Sequence, residues 1–182
     1  MRTKLIFLFL IVSVSLYSYI LPYFQQQSIY FKETLKGKSY NSLKFKTEDK
    51  EYILNKSSLN DNDALVYVLA NLFLFHKNSL NNFAGKHKID RTKFHYELFN
   101  ETPCVVYGTS KKNKTYDIDN LKPEIWLDNE KAYPVKVVFK RGNDLIIAQF
   151  NEYRNMKYKY LFPTKVTLNV NGNKKVYVLD LE

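Results

Sequence analysis

The sequence predicts an α+β protein in which a meander of antiparallel strands is interrupted once by a helical pair. Three observations carry that expectation. Apolar and polar residues alternate through much of the chain, as in Leu43-Lys44-Phe45-Lys46 and along the row Tyr133, Val135, Val137 and Phe139, which is the period of a half-buried strand. The alternation is absent from one stretch, Ser57 to Asp90, which is apolar at successive positions and contains no Pro. Tyr and Phe are abundant, 15 and 13 residues, and their rings suit a pleated, half-buried surface.

The 182 residues are enough for one domain with a substantial core and too few for two of ordinary size. Residues 1–24 stand apart. Arg2 and Lys4 precede an apolar run from Leu5, and small residues follow at Ser13, Ser15 and Ser18. Basic start, apolar middle and small residues are the order of a secretory signal peptide, with Ser13-Val14-Ser15 as a cleavage spacing. The apolar character continues to Phe24, long enough for an uncleaved anchor. Either way the chain is expected to be exported, periplasmic or elsewhere in the cell envelope, and the uncleaved form to be held on the inner membrane. No cysteine lies near the junction, which excludes lipid attachment there.

The second unit, residues 25–182, is read as a single β domain with a helical insertion at about 62–86. "SIYFKETL" and "YNSLKFKTE" read as strands joined by a turn at Lys36-Gly37-Lys38, and "EYILNK" as a third. Asn62 and Asp63 are the helix-capping candidates. From Leu65 to Phe75 the helix is apolar nearly all round, so it is expected to be covered on most sides. A break is expected between His76 and Asn78, and a stop at Gly85. Strands resume at "TKFHYELF" and "PCVVYGTS", the polar loop "KKNKTYDIDN" follows, and then come "EIWLD", "PVKVVFKRG" and "NDLIIAQFNEYRN". Asn171-Gly172 between "PTKVTLNV" and "KKVYVLDLE" is the strongest short hairpin signal in the chain.

A net charge of +10 raises the question of nucleic acid or an anionic membrane. The lysines are spread rather than clustered, alternating with apolar residues at Lys44 and Lys46, Lys136 and Lys140, and Lys157 and Lys159, as on the wet side of an antiparallel sheet. Nucleic acid is therefore not expected as a partner, and a basic exported protein meets anionic lipid first. The single cysteine, Cys104, reads as a buried, inert thiol.

Chemistry needs a nucleophile with a base, or metal ligands at workable spacing. His76, His87 and His95 are too scattered for a motif, and His95 with Glu97 reads as a pair on one side of a strand. The carboxylate pairs Asp117 with Asp119 and Asp128 with Glu130 lie beside turns, where acidic residues are ordinary. No phosphate loop, paired-cysteine motif or nucleophile elbow is present. No enzyme activity, metal or cofactor is expected.

What remains is the apolar face. Trp126 lies on "EIWLD" opposite Ile125 and Leu127, so both sides of that strand should be covered. Phe45, Phe139 and Phe150 would line one concave surface if the sheet curls, and that surface is either an ordinary core or a lipid-accepting cavity.

The order of elements resembles the LolA-like fold of periplasmic lipoprotein carriers. "PEIWLDNEKAYPVKVVF" is similar to their strand, acidic turn and Pro-containing strand, and "FNEYRNMKYKYLFPTKVTLNVNG" to their aromatic, Tyr-Arg, loop, Pro and closing hairpin. Between Ser28 and Lys56 there is neither Pro nor Arg, so the arginine those carriers place in the cavity has no counterpart. The resemblance implies an antiparallel, strongly curved sheet, a half-open β-barrel, with the helical segment packed over its concave face. It further implies a monomer that binds an acyl chain or lipoprotein-type amphiphile and meets envelope membrane proteins. The expected ligand-binding residues are Phe45, Leu69, Phe73, Trp126, Val137, Phe139 and Phe150. The alternative is a membrane-tethered envelope interaction or structural protein with a filled core and a basic surface.

Overall fold

The computed structural model describes Gln26 and residues 42–74, 79–113, 115–156 and 160–181. The export segment, the strand expected at "SIYFKETL" with its turn, and the helix break at His76 to Asn78 lie outside the described residues. Ten strands and two α-helices are described. Strands β1 (Leu43–Lys46), β2 (Glu51–Leu54) and β10 (Asp180–Leu181) form a small antiparallel sheet in the order β10-β1-β2. The larger sheet is a continuous antiparallel meander of β3 (Phe94–Phe99), β4 (Thr102–Tyr107), β5 (Glu124–Asp128), β6 (Pro134–Arg141), β7 (Asp144–Met156), β8 (Tyr160–Val170) and β9 (Asn173–Val178). The fold is α+β, as the alternation requires. The seven-stranded sheet is open, with β3 and β9 at its margins, and it is not strongly curled.

In β1 the buried Leu43 and Phe45 alternate with exposed Lys44 and Lys46. At the hairpin tip between β8 and β9, Asn171 (φ 52°) and Gly172 (φ 90°) both take positive φ, the geometry of a type I′ turn. The Asn171 side chain also accepts from the Leu145 N–H at 2.8 Å and donates to Asp144, joining this turn to the preceding one.

The row Tyr133, Val135, Val137, Phe139 does not stay on one face. The β5–β6 register runs Ile125 to Val137, Trp126 to Lys136 and Leu127 to Pro134, which leaves an extra residue on β6. Such a bulge turns two successive side chains to the same side. Val135 therefore joins Trp126, Cys104 and Val106 on the outer face, while Val137 and Phe139 point inward.

Helix α1 (Ala64–Leu69) is capped by Asp63, whose carboxylate accepts from the N–H groups of Leu65 and Val66 at 2.9 and 3.3 Å. It continues as a π-turn, Ala70–Leu74, and every residue from Leu65 to Leu74 is buried. Asn71, inside that turn, donates to the carbonyls of Tyr67 (2.8 Å) and Leu59 (3.0 Å), tying the helix to the 3-10 turn Lys56–Asn60.

Helix α2 (Ser79–Lys86) does not stop at Gly85, which lies within it. The reversal comes at Lys88, in the left-handed region at φ 55°. Ile89 N–H donates to Ala84 O (2.8 Å) and Lys88 N–H to Gly85 O (3.2 Å), the paired bonds of a Schellman motif with lysine where glycine is usual.

His87, one residue earlier, shares a hydrogen bond with the Tyr67 hydroxyl at 3.0 Å and packs its ring 4.2 Å from that of Phe139. Burial, with the Lys86 and Arg141 cations nearby, lowers its pKa to about 4. The unfolded chain holds this proton up to about pH 6.5, so between pH 6.5 and 4 it binds more protons than the native state. Stability should thus be complete above pH 6.5 and fall by on the order of 3 kcal/mol as pH drops through that window. Urea titrations at several pH values should show this slope, and His87→Phe should flatten it.

Gly108 follows β4 with φ 113°, and a Cβ there would collide with the backbone carbonyl of Pro123. Gly108→Ala is expected to cost about 2 kcal/mol or more in urea denaturation, because neither the conformation nor the space suits a side chain.

Candidate functional site

Two sites emerge, one apolar and one charged. The helices and the small sheet cover one face of the large sheet, and Phe45, Leu69, Phe73, Val137, Phe139 and Phe150 all lie in that layer, each 0–2% exposed. Their rings meet one another. Phe73 lies 5.1 Å from Phe150 and 5.6 Å from Phe162, edge on or tilted, and Phe139 lies 5.3 Å from Phe83 and 6.0 Å from Tyr67. Trp126 is not part of this layer. It lies on the outer face, and Ile125 and Leu127 on either side of it point inward.

Around Trp126 the outer face carries a network built on Glu124, a fully buried carboxylate two residues earlier on β5 and on the same face. Its Oε1 accepts from Thr109 Oγ1 (3.1 Å) and Asn113 Nδ2 (2.6 Å). Its Oε2 accepts from Tyr116 OH (2.8 Å) and Trp126 Nε1 (2.9 Å). Four donors on two oxygens are what a buried carboxylate requires. Burial and the Glu124 charge raise the Tyr116 pKa, so its hydroxyl remains a donor, and it accepts in turn from Lys136 Nζ at 3.0 Å.

Lys136 is therefore not a solvated lysine. Its ammonium lies 4.3 Å over the Trp126 ring, and burial lowers its pKa although Glu124 acts in the opposite direction. Beside it, His95 Nε2 and Glu97 Oε2 are 3.4 Å apart, on one side of β3 as their spacing requires, and Lys112 pairs with Glu97. Thr109, Asn113 and Tyr116 all belong to the loop between β4 and β5. Glu124 thus pins that loop to the sheet.

The pinned loop forms one wall of a cavity of about 370 Å³ at the end of the sheet where β3 and β5 begin and β4 ends. Lys88, Lys93, Lys111 and Lys122 line it, with Ser110 and Thr109, and Asp90 is the single carboxylate among the lining residues. Asp90 is already engaged, accepting from Thr92 and pairing with Lys93 at 3.0 Å, and these contacts lower its pKa to about 2. The uncompensated charge of the cavity is positive.

Glu124 was detectable in the sequence: a charged residue two positions from Trp126, on the same face of a strand whose middle, Ile125 to Leu127, is apolar, needs a buried partner set. The cavity was not, since its lysines come from separate segments. Among the described residues no group of three His, Cys, Asp or Glu side chains could hold a metal ion. No described helix is long and apolar enough to cross a membrane. Cys104 is 1% exposed, and burial pushes its thiol up to about 12.

The fold and these sites define an α+β protein with one sheet face occupied by an apolar layer and a lysine-lined cavity at the sheet end. Comparison of the chain with family models, curated proteins and solved structures finds no match. The likeness to LolA-like carriers rests on the sequence pattern.

Proposed function

We propose that this chain is an exported, membrane-tethered, non-enzymatic interaction protein that docks through its basic surface on anionic lipid. The observation that carries the reading is the packing of the apolar candidate residues against one another at 0–2% exposure, while the lysine-lined cavity stays open on the sheet end.

Vesicle flotation tests the reading. The N-terminal apolar run would associate with any bilayer, so the informative quantity is the excess binding to phosphatidylglycerol vesicles over phosphatidylcholine vesicles. That excess should be large at low salt and vanish at high salt, because exposed charges are screened over about 10 Å at 0.1 M. Equal binding to both vesicles at all salt concentrations would reject basic-face docking.

A second reading, the LolA-like carrier, has one observation in its favour. Phe94, Tyr96 and Leu98 on β3 are 41%, 63% and 68% exposed and pair with Tyr107, Val105 and Pro103, the first two of which belong to the apolar layer. An apolar margin thus borders the layer. In this reading the sheet curls into a half-open barrel and the α1 segment lifts to admit an acyl chain against Phe139 and Phe150. Saturable uptake of a fluorescent acyl probe by the full chain, lost when those two residues are made polar in a still-folded protein, would favour it.

A further inference from the structure

We propose that the lysine-lined cavity is a built recognition site for a phosphate group, taking one phosphomonoester-type anion between Lys88, Lys111 and Lys122. The proposal rests on the basic-face reading and names the chemistry of its central contact.

Three segments converge there: the turn after α2, the start of the β4–β5 loop, and the residues before β5. Their meeting is fixed by backbone. Gly108 N–H donates to the carbonyls of Asp90 (3.2 Å) and Lys93 (3.0 Å), and no side chain fits at Gly108 against Pro123. The loop wall is held by Glu124 through Thr109 and Asn113. A preformed cavity loses less on binding than one that must be assembled.

The charge pattern selects the ligand. Lys93 is neutralised by Asp90 and Lys112 by Glu97, which leaves Lys88, Lys111 and Lys122 around the cavity with no ion pair among the described residues. Three ammonium groups with the Ser110 hydroxyl suit a dianionic oxyanion better than a single carboxylate, since lysine binds phosphate as a point charge. The volume, about 370 Å³, exceeds what one phosphate fills and leaves room for the group that carries it.

The backbone at Lys88 adds an independent observation. A non-glycine residue in the left-handed C′ position of a Schellman motif is unfavourable relative to glycine. The chain nonetheless places a lysine there, one of six described non-glycine residues at positive φ and the one among them that lines the cavity.

This strain supplies the test, because Lys88→Gly should remove the cation while leaving the fold as stable as before or more so. Inorganic phosphate should raise the melting temperature of the full chain saturably at constant ionic strength, where chloride does not. Lys88→Gly and Lys122→Gln should each weaken the apparent phosphate affinity by about tenfold, the scale of one lost charge-assisted contact. No saturable response above chloride, or one unchanged in both variants, would overturn the site.

Flotation with the same variants separates this site from the docking reading. A phosphate response without excess binding to anionic vesicles supports the cavity as a site for a free phosphate compound and rejects membrane docking. Excess vesicle binding without a phosphate response overturns the cavity and leaves docking to the rest of the basic surface. Phosphate competing with phosphatidic acid vesicles for the wild-type chain and not for Lys88→Gly identifies the lipid headgroup as its source.

Discussion

Glu124→Ala is expected to lower the unfolding free energy by about 3–5 kcal/mol, the scale on which breaking a buried charged network is felt. The substitution removes the acceptor for Thr109, Asn113, Tyr116 and Trp126 at once and leaves the half-buried Lys136 without the carboxylate beside it. Glu124→Gln should be the milder change, because only Trp126 Nε1 is an obligate donor. The amide oxygen can stay toward Trp126 and Tyr116 while its NH₂ meets Thr109 and Asn113, whose hydroxyl and carboxamide can turn to accept, so that the loss is mainly that of the charge. About 1–3 kcal/mol should be lost there too. Urea denaturation gives both values, and quenching or shifting of Trp126 fluorescence should accompany the change, since the only indole in the chain loses its partner.

Phe139→Ala is expected to cost about 3–5 kcal/mol, and Phe139→Leu less than about 1.5 kcal/mol, because the first leaves a void and the second nearly refills it. The ring is fully buried and meets Phe83, Tyr67 and His87 at centroid distances of 5.3, 6.0 and 4.2 Å. Lys140→Ala, next along the strand and exposed, should stay within about 0.5 kcal/mol of wild type. The contrast also separates the two readings of the apolar layer. In a filled layer the Phe139 truncation is expensive, whereas a residue that lines a ligand cavity could be shortened at far smaller cost.

The strands were legible because a two-residue period survives wherever one face is wet, as in β1, and it survives in β3 too although there the apolar Phe94, Tyr96 and Leu98 are the exposed residues. The helix at Asp63 was legible for a different reason, since a capping carboxylate ahead of an unbroken apolar run admits little else. The bulge on β6 was not, because Val135 and Val137 look equivalent until the register with Trp126 and Leu127 is known. The end of α2 was misread at Gly85 because glycine is the usual left-handed residue, and Lys88 takes that role here. Curvature leaves no mark on the pattern: an open and a curled sheet alternate alike. Six of the seven candidate residues converge because alternation and helical periodicity both report burial, and Trp126 separates from them because adjacent strand residues face opposite ways. The basic cavity was invisible for a topological reason. Its lysines are brought together only by the β3–β4–β5 meander, which sets the turn after α2 beside both ends of the β4–β5 loop.

The proposal that this protein docks through its basic sheet end rather than its apolar layer is tested most directly by hydrogen–deuterium exchange of the full chain with and without phosphatidic acid vesicles, whose headgroup presents a phosphomonoester. Docking through the basic surface predicts added protection at Lys88 to Lys93, Gly108 to Asn113 and Leu121 to Lys122, with α1 and the inner faces of β6 and β7 unchanged. Altered exchange concentrated in α1, β6 and β7, with the lysine-lined segments unaffected, would contradict it and show that the apolar layer opens to lipid.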